Sequence, residues 1–276
     1  MIKLAERHRQ FAEMHAKGCF LMPNAWDIGT AKLFAAKGAQ ALATTSAGQA
    51  FTLGRRDMGT ISCDEALDHA SEMVAATPLP VSGDLENGFG NDPDTVAETI
   101  RLAREAGLSG CGIEDTMMTP GNPAYDFDLA VERIRAAVDA ANSLPDPFIL
   151  TARADGVMNG AYDFAEGIRR LQAFEQAGAH CVYMPAFGEA AFLPQIISAV
   201  RTSVNVLATG PIAQMNVQQL AAAGVRRISI GSMAARVVHA ATLDMADEMF
   251  GEGRFDRFAQ AASGSDVDAL LTKGSV

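Results

Sequence analysis

The sequence predicts an α/β protein of the closed (β/α)8 barrel type. Three observations predict it. Short apolar runs of strand length alternate with longer amphipathic runs through eight units, and that alternation implies parallel strands joined by right-handed crossovers. The chain has 276 residues, which suits one barrel domain, since these run to roughly 250 residues. The stretch after the first strand, Pro23-Asn24-Ala25-Trp26-Asp27, lacks the glycine fingerprint that an open doubly wound sheet uses there to hold a phosphate. The barrel is expected over about residues 19–250 and a helical extension over about 251–276. No linker or composition break divides 1–276, so one domain is expected.

The elements follow in order. Residues 2–17 read as an amphipathic helix with Leu4, Phe11 and Met14 on one side, stopped near Gly18. Residues 19–22 make the first strand, and Asp27 can cap a helix over 28–37 closed by Gly38. The second strand is 41–45, followed by Ser46-Ala47-Gly48 and a longer loop through Gly54-Arg55-Arg56-Asp57. Ser62 and Glu65 have capping-box spacing for a helix that ends before Pro78. The third strand starts at Leu79 and runs into Asp84-Leu85-Glu86-Asn87-Gly88-Phe89-Gly90. Asp92 and Pro93 open the next helix, Pro93 being suited to a first turn, and Gly107 ends it.

The fourth strand is 110–114, with Asp115 next and a loop to about Tyr125. A helix carrying Leu129, Val131, Ile134 and Val138 leads to the fifth strand, 148–152, ending at Arg153-Ala154-Asp155-Gly156. Asp163 and Glu166 repeat the capping-box spacing before a helix stopped at Gly178. The sixth strand is 181–184. A weaker helix covers about 189–200, where Pro194 blurs the start. The seventh strand is 204–208, Asn216 with Gln219 caps a short helix, and the eighth strand is 227–230. A long helix then runs from about Met233 to Phe250, with a further apolar run near 267–271.

Bulk properties narrow the partners. A formal charge of −11 argues against nucleic acid or an anionic membrane surface. Cys19, Cys63, Cys111 and Cys181 match no zinc spacing. The start of the chain has no apolar signal region, and no stretch is long enough to span a bilayer. A reduced, cytoplasmic protein acting on a small molecule is expected.

Barrels of this type place chemistry at the C-terminal strand ends. Charge concentrates at ends three, four and five: Asp84 and Glu86, Glu114 and Asp115, Arg153 and Asp155. In an extended chain Asp84 and Glu86 would point to one face. Carboxylates so placed repel unless a cation or proton lies between them. Asp84, Glu86 and Glu114 can hold Mg²⁺, directly or through water. A 2-oxo acid chelates such an ion through a carboxylate oxygen and its keto oxygen, and the ion stabilises an enolate as a Lewis acid. Arg153 offers planar donors for a carboxylate, and backbone N–H groups after Ser46 can take its other oxygen. His8, His15, His69, His180 and His239 stand at no predicted strand end, so no histidine base is expected.

These residues resemble the isocitrate lyase/phosphoenolpyruvate mutase superfamily over about Phe11 to Arg236. The carriers, in order, are residues 23–27, 45–48, 54–57, 84–90, 113–115 and 151–155. The resemblance implies a barrel, Mg²⁺ or Mn²⁺, and substrates that yield or contain pyruvate-like enolates. It implies a metal site of Asp84, Glu86 and Glu114, with Asp57 reaching it through water. It likens Ser46, Ala47 and Gly48 to a carboxylate-binding turn, Trp26 to an aromatic over the substrate, and Arg153, beside Glu114, to the catalytic arginine that binds substrate oxygens. It also implies a homo-oligomer, dimer or tetramer, whose partners exchange the last barrel helix.

Departures shape the activity. Lyases of the family usually carry a Lys-Lys/Arg-Cys-Gly-His stretch after strand four; residues 116–123 here hold no Cys, His or Lys. Glu86 stands where many members have Asp, and strand seven ends in Ala208-Thr209-Gly210-Pro211 rather than Asn-Met-Thr-Glu. The expected function is therefore Mg²⁺-dependent C–C cleavage, including decarboxylation, of a small 2-oxo or 2-hydroxy acid such as oxaloacetate. The alternatives are a 2-oxo acid binding protein without turnover, and phosphonopyruvate-type C–P chemistry.

Overall fold

In the computed structural model, which describes residues 3–121 and 123–276, eight parallel strands form one sheet. Ile2 of the first predicted helix and Asn122 of the loop after strand four lie outside the described residues. The strands are β1 (Phe20–Met22), β2 (Leu42–Ala43), β3 (Val81–Asp84), β4 (Gly110–Glu114), β5 (Ile149–Arg153), β6 (Cys181–Tyr183), β7 (Ser203–Leu207) and β8 (Arg227–Ser229). Their spatial order is β1-β8-β7-β6-β5-β4-β3-β2. The cylinder closes where Asn24 bridges Ala43, through Ala25 N–H to Ala43 O (2.8 Å) and Ala43 N–H to Pro23 O (3.0 Å). The fold is a (β/α)8 barrel, as predicted.

Outward strand residues and the inner faces of the helices make the main core. Leu42, Val81, Ile113, Leu150, Val182 and Val206 are buried against Met73, Ile100, Ile134 and Phe174, each large side chain contributing about 1.5–3 kcal/mol on leaving water. The helix signals hold locally. The boxes at Ser62/Glu65 and Asn216/Gln219 are both formed, and Asp27, Asp92 and Asp163 cap their helices. Phe11, Phe20, Met22 and Ile149 form a smaller apolar cluster that includes the N-terminal helix Leu4–Ala16.

Several expectations are corrected. The strand expected over 41–45 has only two strand residues, because Thr45 caps a helix, Ser46–Thr52, by accepting the Gly48 N–H. A helical turn, Gly156–Asn159, follows β5. β3 stops at Asp84, so Asp84 and Glu86 are not successive residues on one face of a strand. Glu86 instead adopts a left-handed backbone, φ +48°. That turn is held because the Glu86 carbonyl accepts the Glu114 N–H (2.9 Å) and the Gly88 N–H closes onto the Leu85 carbonyl (2.8 Å).

The helix after β8, Met233–Asp247, passes into a π turn over Glu248–Glu252 and buries only Ala235. Val237, Leu243 and Phe250 are exposed, Phe250 by 87%. Leu21, on the outward face of β1, is 44% exposed where a barrel strand is ordinarily covered. The last helix, Gly264–Lys273, packs against Ile28–Ala36.

Candidate active site

The strand ends open into one pocket of about 160 Å³. Asp57, Asp84, Glu86, Glu114 and Arg153 line it, with Ser46 and Ala47 beside them. The parallel register sets β4 and β5 side by side with Glu114 opposite Arg153, and Asp84 sits opposite Gly112 on the other flank. Gly112 leaves room for the arginine: a Cβ there would lie 3.2 Å from Arg153 Cδ. The left-handed turn brings Glu86 back to the same pocket despite its lost strand geometry.

Arg153 is the hub. Its Nη1 donates to Asp84 Oδ1 (2.7 Å), and its Nη2 lies 3.0 Å from Glu114 Oε1. Nη2 and Nε grip both oxygens of Asp155 at 2.7 and 3.1 Å. The other oxygen of Asp84 accepts both the N–H and the hydroxyl of Ser46, each at 2.9 Å. Glu86 Oε1 accepts the Gly59 N–H (2.9 Å). Behind Asp155, the buried Asp115 carboxylate accepts the Asp155 N–H, the Tyr162 hydroxyl and Arg170 Nη1. Arg170 and Asn87 in turn hold Tyr125. The loops after β3, β4 and β5 are thus bound into one support for the site.

One guanidinium does not neutralise these acids. Burial pushes the Glu86 carboxyl up to about 7, against the Gly59 N–H and helped by the charge of Asp84. Burial also drives Glu114 well above the usual range despite the pull of Arg153, and lifts Asp155 to about 6. Asp57, at the exposed rim, is raised by partial burial while the Met58 N–H opposes the shift. Buried carboxylates that resist ionisation mark a place where positive charge is short.

A divalent ion fits that donor set. The side chains offer oxygen only, suited to a hard cation such as Mg²⁺ or Mn²⁺, and their excess negative charge calls for one. The fit is not preformed. Among the described residues, no three acid, imidazole or thiol groups are already drawn together as an ion would need. Asp84 and Glu114 are turned to Arg153, so they would have to release part of it to share an ion.

The remaining sequence-predicted residues are placed as follows. Ser46 and Ala47 line the pocket, but the Ser46 donors hold Asp84, and Ser46-Ala47-Gly48 is the first turn of a helix. Trp26 and Gly48 are absent from the lining. They pack on each other, since a Cβ on Gly48 would meet Trp26 Cβ at 2.7 Å. Asn24 ties three strands: its Nδ2 donates to the Thr44 carbonyl, and its Oδ1 accepts from the Ile230 and Gly231 N–H groups.

Sequence reasoning placed Asp155 among the charged strand ends without assigning it a partner; its spacing of two from Arg153 was the available signal. It also passed over Arg227, which floors the pocket and is 4% exposed. Arg227 donates to Asn205 Oδ1 and Thr151 Oγ1, both at 2.9 Å, and lies 3.4 Å from His15 Nε2.

Comparison with known proteins gives one direction. The profile of the phosphoenolpyruvate phosphomutase family matches residues 11–250. A solved structure from Burkholderia cenocepacia J2315, provisionally described as a lyase/mutase, superposes with a TM-score of 0.92 at 45% identity, covering 97% of this chain and 96% of that one. The oxaloacetate decarboxylase of Paraburkholderia xenovorans LB400 is 29% identical over 247 residues, 85% of this chain and 80% of that protein. The 2-methylisocitrate lyase of Escherichia coli K12 is 33% identical over 159 residues, 55% of this chain and 52% of that protein.

Proposed function

The chain belongs to the phosphoenolpyruvate mutase/isocitrate lyase superfamily, and from that premise we propose that it is a metal-dependent lyase that breaks a C–C bond in a small 2-oxo or 2-hydroxy acid. The observation that carries the reading is the gathering of Asp84, Glu86, Glu114 and Arg153 around one pocket, with more buried acid than Arg153 offsets.

In this reading Asp84, Glu86 and Glu114 would hold Mg²⁺, with Asp57 at the rim of the same pocket. When bound, the ion supplies a Lewis acid for the negative charge that grows on a keto oxygen during cleavage. Arg153, released in part from Asp84 and Glu114, takes the substrate carboxylate with two parallel N–H donors. Asp155 keeps its grip on Nε and Nη2 and fixes the plane of that guanidinium. Ser46 steers Asp84, and the first turn of Ser46–Thr52 sets the carboxylate end of the pocket. The wall formed by Trp26 on Gly48 keeps that turn in place.

A homo-oligomer in which the helix Met233–Asp247 crosses to a partner accords with its exposed Val237 and Leu243 and with the bare outer face of β1 at Leu21. No described helix is long and apolar enough to cross a membrane.

Turnover of a panel of 2-oxo and 2-hydroxy acids, with Mg²⁺ and then with EDTA, tests the reading. Cleavage that stops on chelation and returns with Mg²⁺ is expected. Metal-dependent binding with no product over hours favours a binding protein instead, a reading prompted by the loop 116–123, which holds no Cys, His or Lys. Turnover indifferent to chelation removes the metal site.

A further inference from the structure

We infer that the part of the substrate remote from its reacting 2-oxo acid end is uncharged and apolar. This rests on the reading of the acid cluster as the site that holds the reacting end. Alongside that cluster, the apolar part of the lining includes Met58, Met118, Met158, Pro185 and Leu207. Three thioether side chains from three different loops make a surface that is apolar and adaptable in shape. It is also fixed relative to the acids. Gly59 packs so closely on Met118 that a Cβ would lie 2.9 Å from Met118 Cβ, and the same Gly59 donates its N–H to Glu86.

A second carboxylate would find neutral donors such as Ser232 in the lining but no free counter-charge. The cations lining the pocket among the described residues are Arg153 and Arg227. Arg153 belongs to the reacting end and is already ringed by Asp84, Glu114 and Asp155. Arg227 lies at the floor, with Nε on Asn205 and Nη2 on Thr151, and its remaining Nη1 faces His15. A distal carboxylate would therefore leave water for a thioether wall, with no counter-charge and four acids nearby, an arrangement that disfavours ionised groups strongly. A methylene entering the same wall gains about four-fold in affinity. The relatives named for oxaloacetate and 2-methylisocitrate act on molecules with more than one carboxylate. On this inference the chain differs from both.

Calorimetry of the full chain with Mn²⁺ tests it, using oxalate as the shared core and 2-oxopentanoate against 2-oxoglutarate as a pair of equal carbon count. The monoacid is expected to bind at least about ten-fold more tightly than the diacid. Met158→Lys, at a position already 42% exposed, is expected to narrow or reverse that ratio, with both ligands referred to the variant's own oxalate affinity. Oxalate that binds alongside an equal or tighter 2-oxoglutarate overturns the inference alone. A ratio untouched by Met158→Lys and by Met118→Lys also overturns it, because the wall would then not set the preference. Oxalate that does not bind with the metal overturns the reading of the site, and the inference with it.

Discussion

At the strand ends of β3 to β5, Asp84, Glu114 and Asp155 crowd one guanidinium, and Glu86 is left with a single backbone donor. Deeper in the barrel, Arg227 is also buried, yet it is surrounded by neutral acceptors, Asn205 and Thr151, with His15 beside it. Both regions bury charged side chains. In the upper one, like charges are massed beyond what the protein neutralises, a cost tolerated where a ligand supplies the balance. In the lower one, each donor has a partner and Asn205 is itself tied to Ser229. Such a network is an internal joint rather than a binding place. The contrast separates side chains kept for chemistry from side chains kept for architecture.

The sharpest way to break that contrast is to neutralise the upper acids. Asp84→Asn or Glu114→Gln is expected to cut metal-dependent turnover on the order of a thousand-fold, the several kcal/mol a Lewis acid supplies, with an unchanged circular dichroism spectrum. Activity within ten-fold of wild type would show that these carboxylates serve the fold instead.

The lower region should respond in stability. Arg227→Met leaves buried Asn205 and Thr151 oxygens without their donor. It is expected to cost about 2 kcal/mol, several degrees in Tm, with turnover changed less than ten-fold. An activity loss matching that of Asp84→Asn would erase the distinction.

Histidine 15 gives the lower region a pH signature. His15 Nδ1–H donates to the Phe11 carbonyl, so Nε2 turns an acceptor lone pair toward Arg227. Burial, and then the Arg227 charge, lower its pKa to about 3. The unfolded chain therefore takes up the proton first. The stability His15 contributes is whole above pH 6.5 and is lost as pH falls toward 3. Between pH 6.5 and 5 the loss is about 2 kcal/mol, and chemical denaturation of His15→Gln is expected to lack that part of the slope.

The upper region has the opposite sign. In metal-free protein Glu86, raised to about 7 by burial, contributes stability that is present below pH 4.5 and lost as pH rises through 7. Glu86→Gln in EDTA at pH 8 is expected to stabilise the chain by about 1 kcal/mol. Destabilisation there would mean that the acid surplus is already balanced.

Much of the barrel was legible because strand runs, caps and glycine stops act locally. Asp92, Asp163 and the Ser62 and Asn216 boxes all cap where their spacing says. The acids were legible because barrel strand ends converge. The reason given for pairing Asp84 with Glu86 was incorrect. β3 ends at Asp84, and the turn is dictated by Glu114 on another strand, which no i, i+2 pattern can reveal. Arg227 was hidden for the same reason: its acceptors come from β5 and β7 and the N-terminal helix, far apart in sequence. The Ser46–Thr52 helix was missed because it is only seven residues long and its Ser, Gly and Thr are weak helix formers, so the Thr45 cap decides it.

The junction of β1 with β2 hangs on two backbone hydrogen bonds and the amide of Asn24. A cylinder unzips at its thinnest stitch. Deuterium should therefore enter at Ala25 and Ala43 before it enters the mid-strand amides of β4 and β5, and new chain termini cut at that seam should disturb the remaining staves least.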